Sequence, residues 1–152
     1  MAEDSLRSVT LSRVEKAIFT ATNIRGGSIT IGEGNDDDFT PVELLLVAIA
    51  GCTAMDVDYI TGKRAEPESF DVRAEADKVR DDDGNHLTNI KVTFDVRFPP
   101  DEAGDKARDS LPRAIAQSHD RLCTVSRTVQ LGTPIEVVST EGWTGRAPDL
   151  AP

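Results

Sequence analysis

A chain of 152 residues, 38% hydrophobic and 29% charged, is sized for one soluble domain with a real core. Its formal net charge of −10 argues against nucleic acid or an anionic membrane as partner. Two cysteines, Cys52 and Cys123, in a domain that needs no staple read as thiols of a reducing compartment, the cytoplasm. No basic segment followed by an apolar run marks a signal peptide near the start, and Met1 to Ser5 are acidic and polar.

Ser8 to Asn23 is rich in Val, Thr, Ile and Phe with partial alternation, which predicts two strands turning at Glu15–Lys16. Arg25-Gly26-Gly27 is a tight connection into a third strand, Ser28 to Ile31. Asn35 to Asp38 reads as a solvated acidic loop, because the alternating oxygens and distal glutamate of a calcium loop are absent.

Thr40 to Lys63 is the longest apolar segment. Thr40 and Glu43 form a capping box around Pro41, which suits the first helical position. Gly62 stands where a C′ glycine would, and Lys63 and Arg64 suit the negative end of the dipole. The first half is apolar almost all round, which predicts burial on most faces. Glu43, Asp56 and Asp58 interrupt the uncharged run, so the helix is read as a core element and no membrane partner is expected.

Ser69 to Ala76 and His86 to Phe98 alternate apolar and polar residues on either side of an Asp-Gly turn at residues 81–85, which predicts an antiparallel hairpin. Its apolar face, carrying Phe94 and Val96, is expected to pack on the long helix. Asp101 to Leu122 is helical in pattern, with Pro112 kinking or dividing it. Cys123 follows, then a short helical stretch to Gln130 and a last strand over Pro134–Val138. Residues 1–138 form a single domain. Residues 139–152 are small, polar and Pro-rich, a loose tail in which Trp143 is the one residue suited to docking. Strands grouped apart from helices give an α+β fold: an antiparallel sheet packed on a long buried helix plus a second helix. That long helix is apolar on more faces than one sheet covers, so a homodimer is expected to bury the rest.

The chemistry-bearing residues have two readings. Each cysteine can be a small buried hydrophobe, a common role for a free thiol. The pair can instead run a redox cycle, in which a thiolate attacks a peroxide and a second thiol condenses with the sulfenic acid. Asp56, at i+4 from Cys52, shares its helix face, where a carboxylate raises a thiol pKa and is read as structural. His119 stands four residues before Cys123 and would touch it on a continuous helix. Arg121 and Arg127 flank Cys123 as candidate cations or plain surface charges. His86 and His119 have no ligand spacing to a cysteine pair, so no metal site or cofactor is expected.

The stretch FTPVELLLVAIAGCTAMDV, followed by SHDRLCTVSRTVQLGTPIEV, resembles the OsmC/Ohr family of thiol-dependent hydroperoxide reductases in the order, spacing and surroundings of its two cysteines. The resemblance covers roughly residues 8 to 138. It implies an OsmC-like, intertwined homodimer with active sites at the subunit interface, Cys52 as the peroxidatic and Cys123 as the resolving residue. It further implies organic hydroperoxide as substrate and an external dithiol as reductant. An arginine from the N-terminal strands activates the thiolate in the family's peroxidases. Arg25, followed by a glycine pair, matches it. The family's paired glutamate directly follows the helix's first proline, whereas here that position is Val42 and Glu43 stands one place later. Glu43 falls about 180° around the helix from Cys52, which fits a cap better than a catalytic partner. The pattern is nearest the less characterised OsmC-like branch. A non-enzymatic dimer that binds a small molecule, or senses redox state, with its cysteines lining the pocket remains the alternative.

Overall fold

The structure, a computed structural model, describes residues 5–141 and 144–145. Three strands, β1 (Val9–Glu15), β2 (Ile18–Asn23) and β3 (Ser28–Ile31), form an antiparallel sheet in that order. The first turn falls one residue later than predicted, at Lys16–Ala17, with Ala17 at a φ of 61°. Asn23 closes the second connection: its side-chain oxygen accepts from the backbone N–H groups of Arg25 and Gly27. Every residue of β1 is exposed, and the sheet packs mainly on itself.

Helix α1 (Pro41–Gly62) begins where the sequence predicts. Thr40 Oγ1 accepts from the Glu43 N–H at 3.2 Å, and Glu43 Oε2 accepts from the Thr40 N–H at 2.8 Å. Gly62 is the last helical residue rather than a left-handed C′ residue, and Lys63 caps in right-handed geometry. The Arg64 guanidinium donates to the Ile60 carbonyl at the helix end. By length and composition alone this helix could cross a membrane. In the fold, one of its faces, Ile49, Thr53, Val57 and Thr61, is buried. Full burial of a side chain such as Val57 stabilises by about 1.5–3 kcal/mol. The expected burial on most faces does not occur within one chain. Leu45, Val47, Met55 and Tyr59 remain exposed, because one hairpin and one helix cover only one side.

The hairpin pairs β4 (Ser69–Asp81) with β5 (Gly84–Arg97), longer than predicted because the register continues through a bulge opposite Ala76. Asn89, at a φ of 54°, occupies the bulge and donates to Asp77. Phe70, Val72, Val92, Phe94 and Val96 alternate inward, and Phe70 meets Phe94 edge to face at 6.1 Å.

Helix α2 (Glu102–Gln117) is capped by Asp101, whose side chain accepts from the Gly104 N–H. Pro112 does not divide it. Arg108, whose carbonyl loses its partner to the proline, lies with Pro112 on the exposed face, so that the lost bond is not a buried one. The irregularity comes later, as a single π-helical turn over Ser118–Leu122. Helix α3 (Thr124–Gln130) follows, with Cys123 as its N-cap. The last strand is shorter than expected: β6 (Val137–Val138) pairs with β7 (Thr144–Gly145). Trp143 and most of the predicted tail, with residues 1–4, lie outside the described residues.

The architecture is α+β with antiparallel sheets. One expectation is corrected. Among the described residues, the strands do not join into one sheet: β1 and β3 flank β2, Ile31 of β3 makes one further parallel bridge to Phe39, and β4 and β5 pair with each other alone.

Candidate active site

Two helix features bring the cysteines together. Cys52 rides midway along α1, partly exposed, while Cys123 stands at the junction of the π turn and α3 and is wholly buried. The π turn sets that junction. With i→i+5 spacing, the Cys123 N–H donates to the Ser118 carbonyl at 2.9 Å. Ser118 in turn donates its hydroxyl to Asp56 Oδ2 at 2.8 Å, so the turn is tied to the helix that carries Cys52. The two thiols are within hydrogen-bonding reach of each other, and both are free.

Their electrostatics differ. Burial pushes the Cys52 thiol up, its bond to Cys123 and the charges of Cys123 and Asp56 add to that, and only a backbone bond at Val125 opposes them. Burial alone would also push Cys123 up. Hydrogen bonds from Cys52, from the Ser126 hydroxyl and backbone N–H, and from Thr53 outweigh it and hold this thiol below its ordinary value. The Ser126 N–H donates to Cys123 Sγ at 3.3 Å, and Ser126 Oγ lies 3.2 Å from the same sulfur.

An apolar cleft of about 320 Å³ lies next to this pair, lined by their neighbours Thr53 and Ser126 and not by either cysteine. Ile49 and Thr53 of α1, Val92 and Phe94 of β5, Ile115 of α2 and Ser126 of α3 line it. Two of those residues, Thr53 and Ser126, also neighbour Cys123: Ser126 Oγ lies 3.2 Å from its sulfur, while the Thr53 hydroxyl donates to the Ile49 carbonyl at 3.2 Å.

The other predicted residues sit apart. Glu43 is engaged in its cap, on the far side of α1 from Cys52. His119 does not touch Cys123. The π turn puts Ser118 beneath the cysteine instead, and His119 bonds to Asp120 and Gln130 while facing the cleft. Those partners set its ring with Nδ1–H toward the Asp120 carboxylate and Nε2 accepting from Gln130. Arg121 is exposed and pairs with no described residue, and Arg127 bonds to Gln130. Arg25 is exposed in the turn after β2, with its guanidinium unpaired among the described residues. Sequence reading passed over Thr53, Ser118 and Ser126. Ser126 had a visible signal, since three residues after a cap is the position whose N–H the cap accepts.

The family model described as OsmC-like protein matches residues 34–138. An uncharacterised protein of Mycobacterium tuberculosis is 27% identical over 120 residues, covering 78% of this chain and 85% of its own. The solved structure of an OsmC-like protein of unknown function from Vibrio cholerae superposes with a TM-score of 0.70 at 16% identity, covering 83% of this chain and 94% of its own. That of an organic hydroperoxide resistance protein from Legionella pneumophila superposes with a TM-score of 0.56 at 12% identity, covering 83% and 91%.

Proposed function

Because the chain belongs to the OsmC family of OsmC-like proteins, we propose that it is a thiol-dependent peroxidase reducing organic hydroperoxides through Cys52 and Cys123. The observation that carries this is the meeting of the two free thiols, from elements far apart in sequence, beside an apolar cleft. Cys52 is the more accessible sulfur, so it meets the peroxide and takes the distal oxygen, releasing an alcohol. Cys123 then condenses with the sulfenic acid to a disulfide, which an external dithiol of the cytoplasm reduces. The cleft suits an alkyl or aryl group and so favours organic hydroperoxides over hydrogen peroxide. A resemblance in fold to a protein named for organic hydroperoxide resistance supports the same reading.

The working unit is a homodimer. The chain leaves 12072 Å² accessible, against about 7,500 Å² for a compact monomer of its mass. Leu45 and Tyr59, at i−7 and i+7 from Cys52, share its helix face and are exposed, so a second copy seated there would close over the reactive thiol. Arg25 joins the site only through that second copy.

The test is a titration of reduced protein with cumene hydroperoxide, counting free thiols in the wild type and in Cys52→Ser and Cys123→Ser. Two thiols lost per peroxide, with the Cys52 variant inert, supports the cycle; no thiol loss at stoichiometric peroxide rejects it. One observation favours a second reading, a binding protein: the raised Cys52 thiol beside Asp56 is poorly suited to unaided attack. On that reading an apolar ligand fills the cleft and both thiols survive peroxide.

A further inference from the structure

The cleft is apolar through its middle, and four polar side chains line it: Thr53, His119, Ser126 and Gln130. Three of them are engaged within the chain. The Thr53 hydroxyl donates to the Ile49 carbonyl at 3.2 Å, and Ser126 Oγ lies 3.2 Å from the Cys123 sulfur. Both ring nitrogens of His119 are taken, Nδ1 by Asp120 at 2.9 Å and Nε2 by Gln130 at 3.1 Å.

Gln130 is different. Its Oε1 accepts from the Arg127 guanidinium at 2.8 Å, and that bond fixes the amide, because a flipped amide would set N–H against N–H. The NH2 group therefore turns to His119. One of its two hydrogens goes to the ring, and the second has no acceptor among the described residues.

We propose that Gln130 is the specificity-determining residue of this cleft, its free N–H receiving an uncharged oxygen acceptor on a compact apolar ligand. The inference rests on the cleft being where substrate or ligand binds, as both readings above have it. Size sets the first limit. A volume of about 320 Å³ is at the low end for small-molecule sites and suits one ring or a short branched chain. Charge sets the second. The run of bonds through Gln130 and His119 ends in the Arg127 cation on one side and the Asp120 carboxylate on the other, so it offers an ion no net attraction. The formal net charge of −10 disfavours an anion further. A ketone, ester or ether oxygen satisfies the N–H without the cost of stripping water from an ion.

His119 and Arg127 are positioning residues here, since they act by holding the amide. Ser126 stands one helical turn before Gln130 on the same face of α3. A ligand with its oxygen on Gln130 therefore extends its other end toward Ser126 and Thr53, the side on which Cys123 lies. In the peroxidase reading that end carries the hydroperoxyl group.

The experiment titrates reduced full-length protein with acetophenone, with isopropenylbenzene, which has the same shape without the oxygen, and with benzoate. Proton–nitrogen correlation NMR reads each affinity and follows the Gln130 side-chain amide. Dividing the acetophenone affinity by that of isopropenylbenzene cancels the apolar contribution. This quotient should fall by about three- to tenfold in Gln130→Leu, the worth of one neutral hydrogen bond. It should fall further in Gln130→Glu, which keeps an acceptor for Arg127 and presents a carboxylate in place of the N–H. The Gln130 amide resonance should move with acetophenone and not with isopropenylbenzene. A quotient unchanged in Gln130→Leu, or benzoate binding wild type more tightly than acetophenone, overturns the assignment. Binding of neither neutral compound overturns the cleft as a ligand site. The thiol titration reports on the redox cycle separately: thiols lost there with no binding here reject this inference alone.

Discussion

Asp56 and Ser118 lie 62 residues apart in sequence and share a 2.8 Å hydrogen bond that fastens the π turn to α1. The Ser118 carbonyl accepts from the Cys123 N–H, so one residue sets the height of the second sulfur against the first. Ser118 is completely buried, and its removal leaves the Asp56 carboxylate short of a donor.

Ser118→Ala is therefore expected to cost about 1.5–3 kcal/mol, the range for a hydrogen bond to a charged group. It should also slow closure of the disulfide. Asp56→Asn keeps an acceptor for Ser118 and removes the charge that opposes Cys52 ionisation, so it should cost less stability and lower the Cys52 pKa. Urea unfolding and thiol alkylation rates against pH read the two effects separately. Equal stability losses in both variants would mean that the charge, rather than the bond, holds the turn.

What was legible in the sequence was local. The capping box needs only Thr40, Pro41 and Glu43, and the hairpin needs only alternation around an Asp-Gly turn. The two cysteine motifs were visible as a resemblance. Their joint geometry was not, because the π turn is stabilised by a residue on another helix. The helical pattern from Asp101 to Leu122 carries no local mark of a π turn at its end, and the Asp56–Ser118 bond that fastens the turn is tertiary. Pro112 misled for a related reason: its effect depends on whether Arg108 faces water, which periodicity leaves open. Burial of α1 was overestimated because an apolar face in sequence does not say which chain covers it.

The opposite thiol shifts predict a stability maximum in pH for the reduced protein. Between the lowered Cys123 value and the ordinary thiol value near 8.5, the unfolded chain holds a proton there that the fold has released, so stability rises with pH. Above that value the fold keeps a proton on Cys52 that the unfolded chain has lost, so stability falls. Subtracting the curve of a Cys52→Ala/Cys123→Ala double variant isolates this contribution from lysines and tyrosine. A difference curve that is flat, or that falls on both sides in the reverse order, would contradict the assignment of the charge to Cys123.

Two glycines of similar helical setting should respond in opposite directions. A Cβ on Gly104 would overlap the Pro99 carbonyl oxygen, a backbone atom that cannot swing away. Gly104→Ala should destabilise by at least about 1–3 kcal/mol, as overpacking does, and shift the start of α2. Gly62, the last residue of α1, has open space around its Cβ position and no left-handed φ. Gly62→Ala should stabilise by about 0.5–1 kcal/mol through lower backbone entropy in the unfolded chain. Thermal melts of the two variants beside wild type decide both.

The exposed face of α1 gives the dimer its own test. Tyr59 is 78% exposed and Met55 67% exposed on the helix that also carries Cys52. On a monomer, Tyr59→Asp at so exposed a position should change stability by no more than about 0.5 kcal/mol. In a dimer that buries this face, the same change places an unpaired carboxylate in an apolar interface, and association should weaken by well over tenfold. Light scattering coupled to size exclusion is expected to give twice the chain mass for wild type and a concentration-dependent fall toward the chain mass for the variant. The melting temperature of wild type should rise with protein concentration, as it must when folding and assembly are linked. Peroxide turnover should drop with dimer content if the second copy closes over Cys52. A wild type that stays at the chain mass across the concentration range would instead leave Cys52 open to solvent, and the cleft within one chain would have to do all the substrate selection.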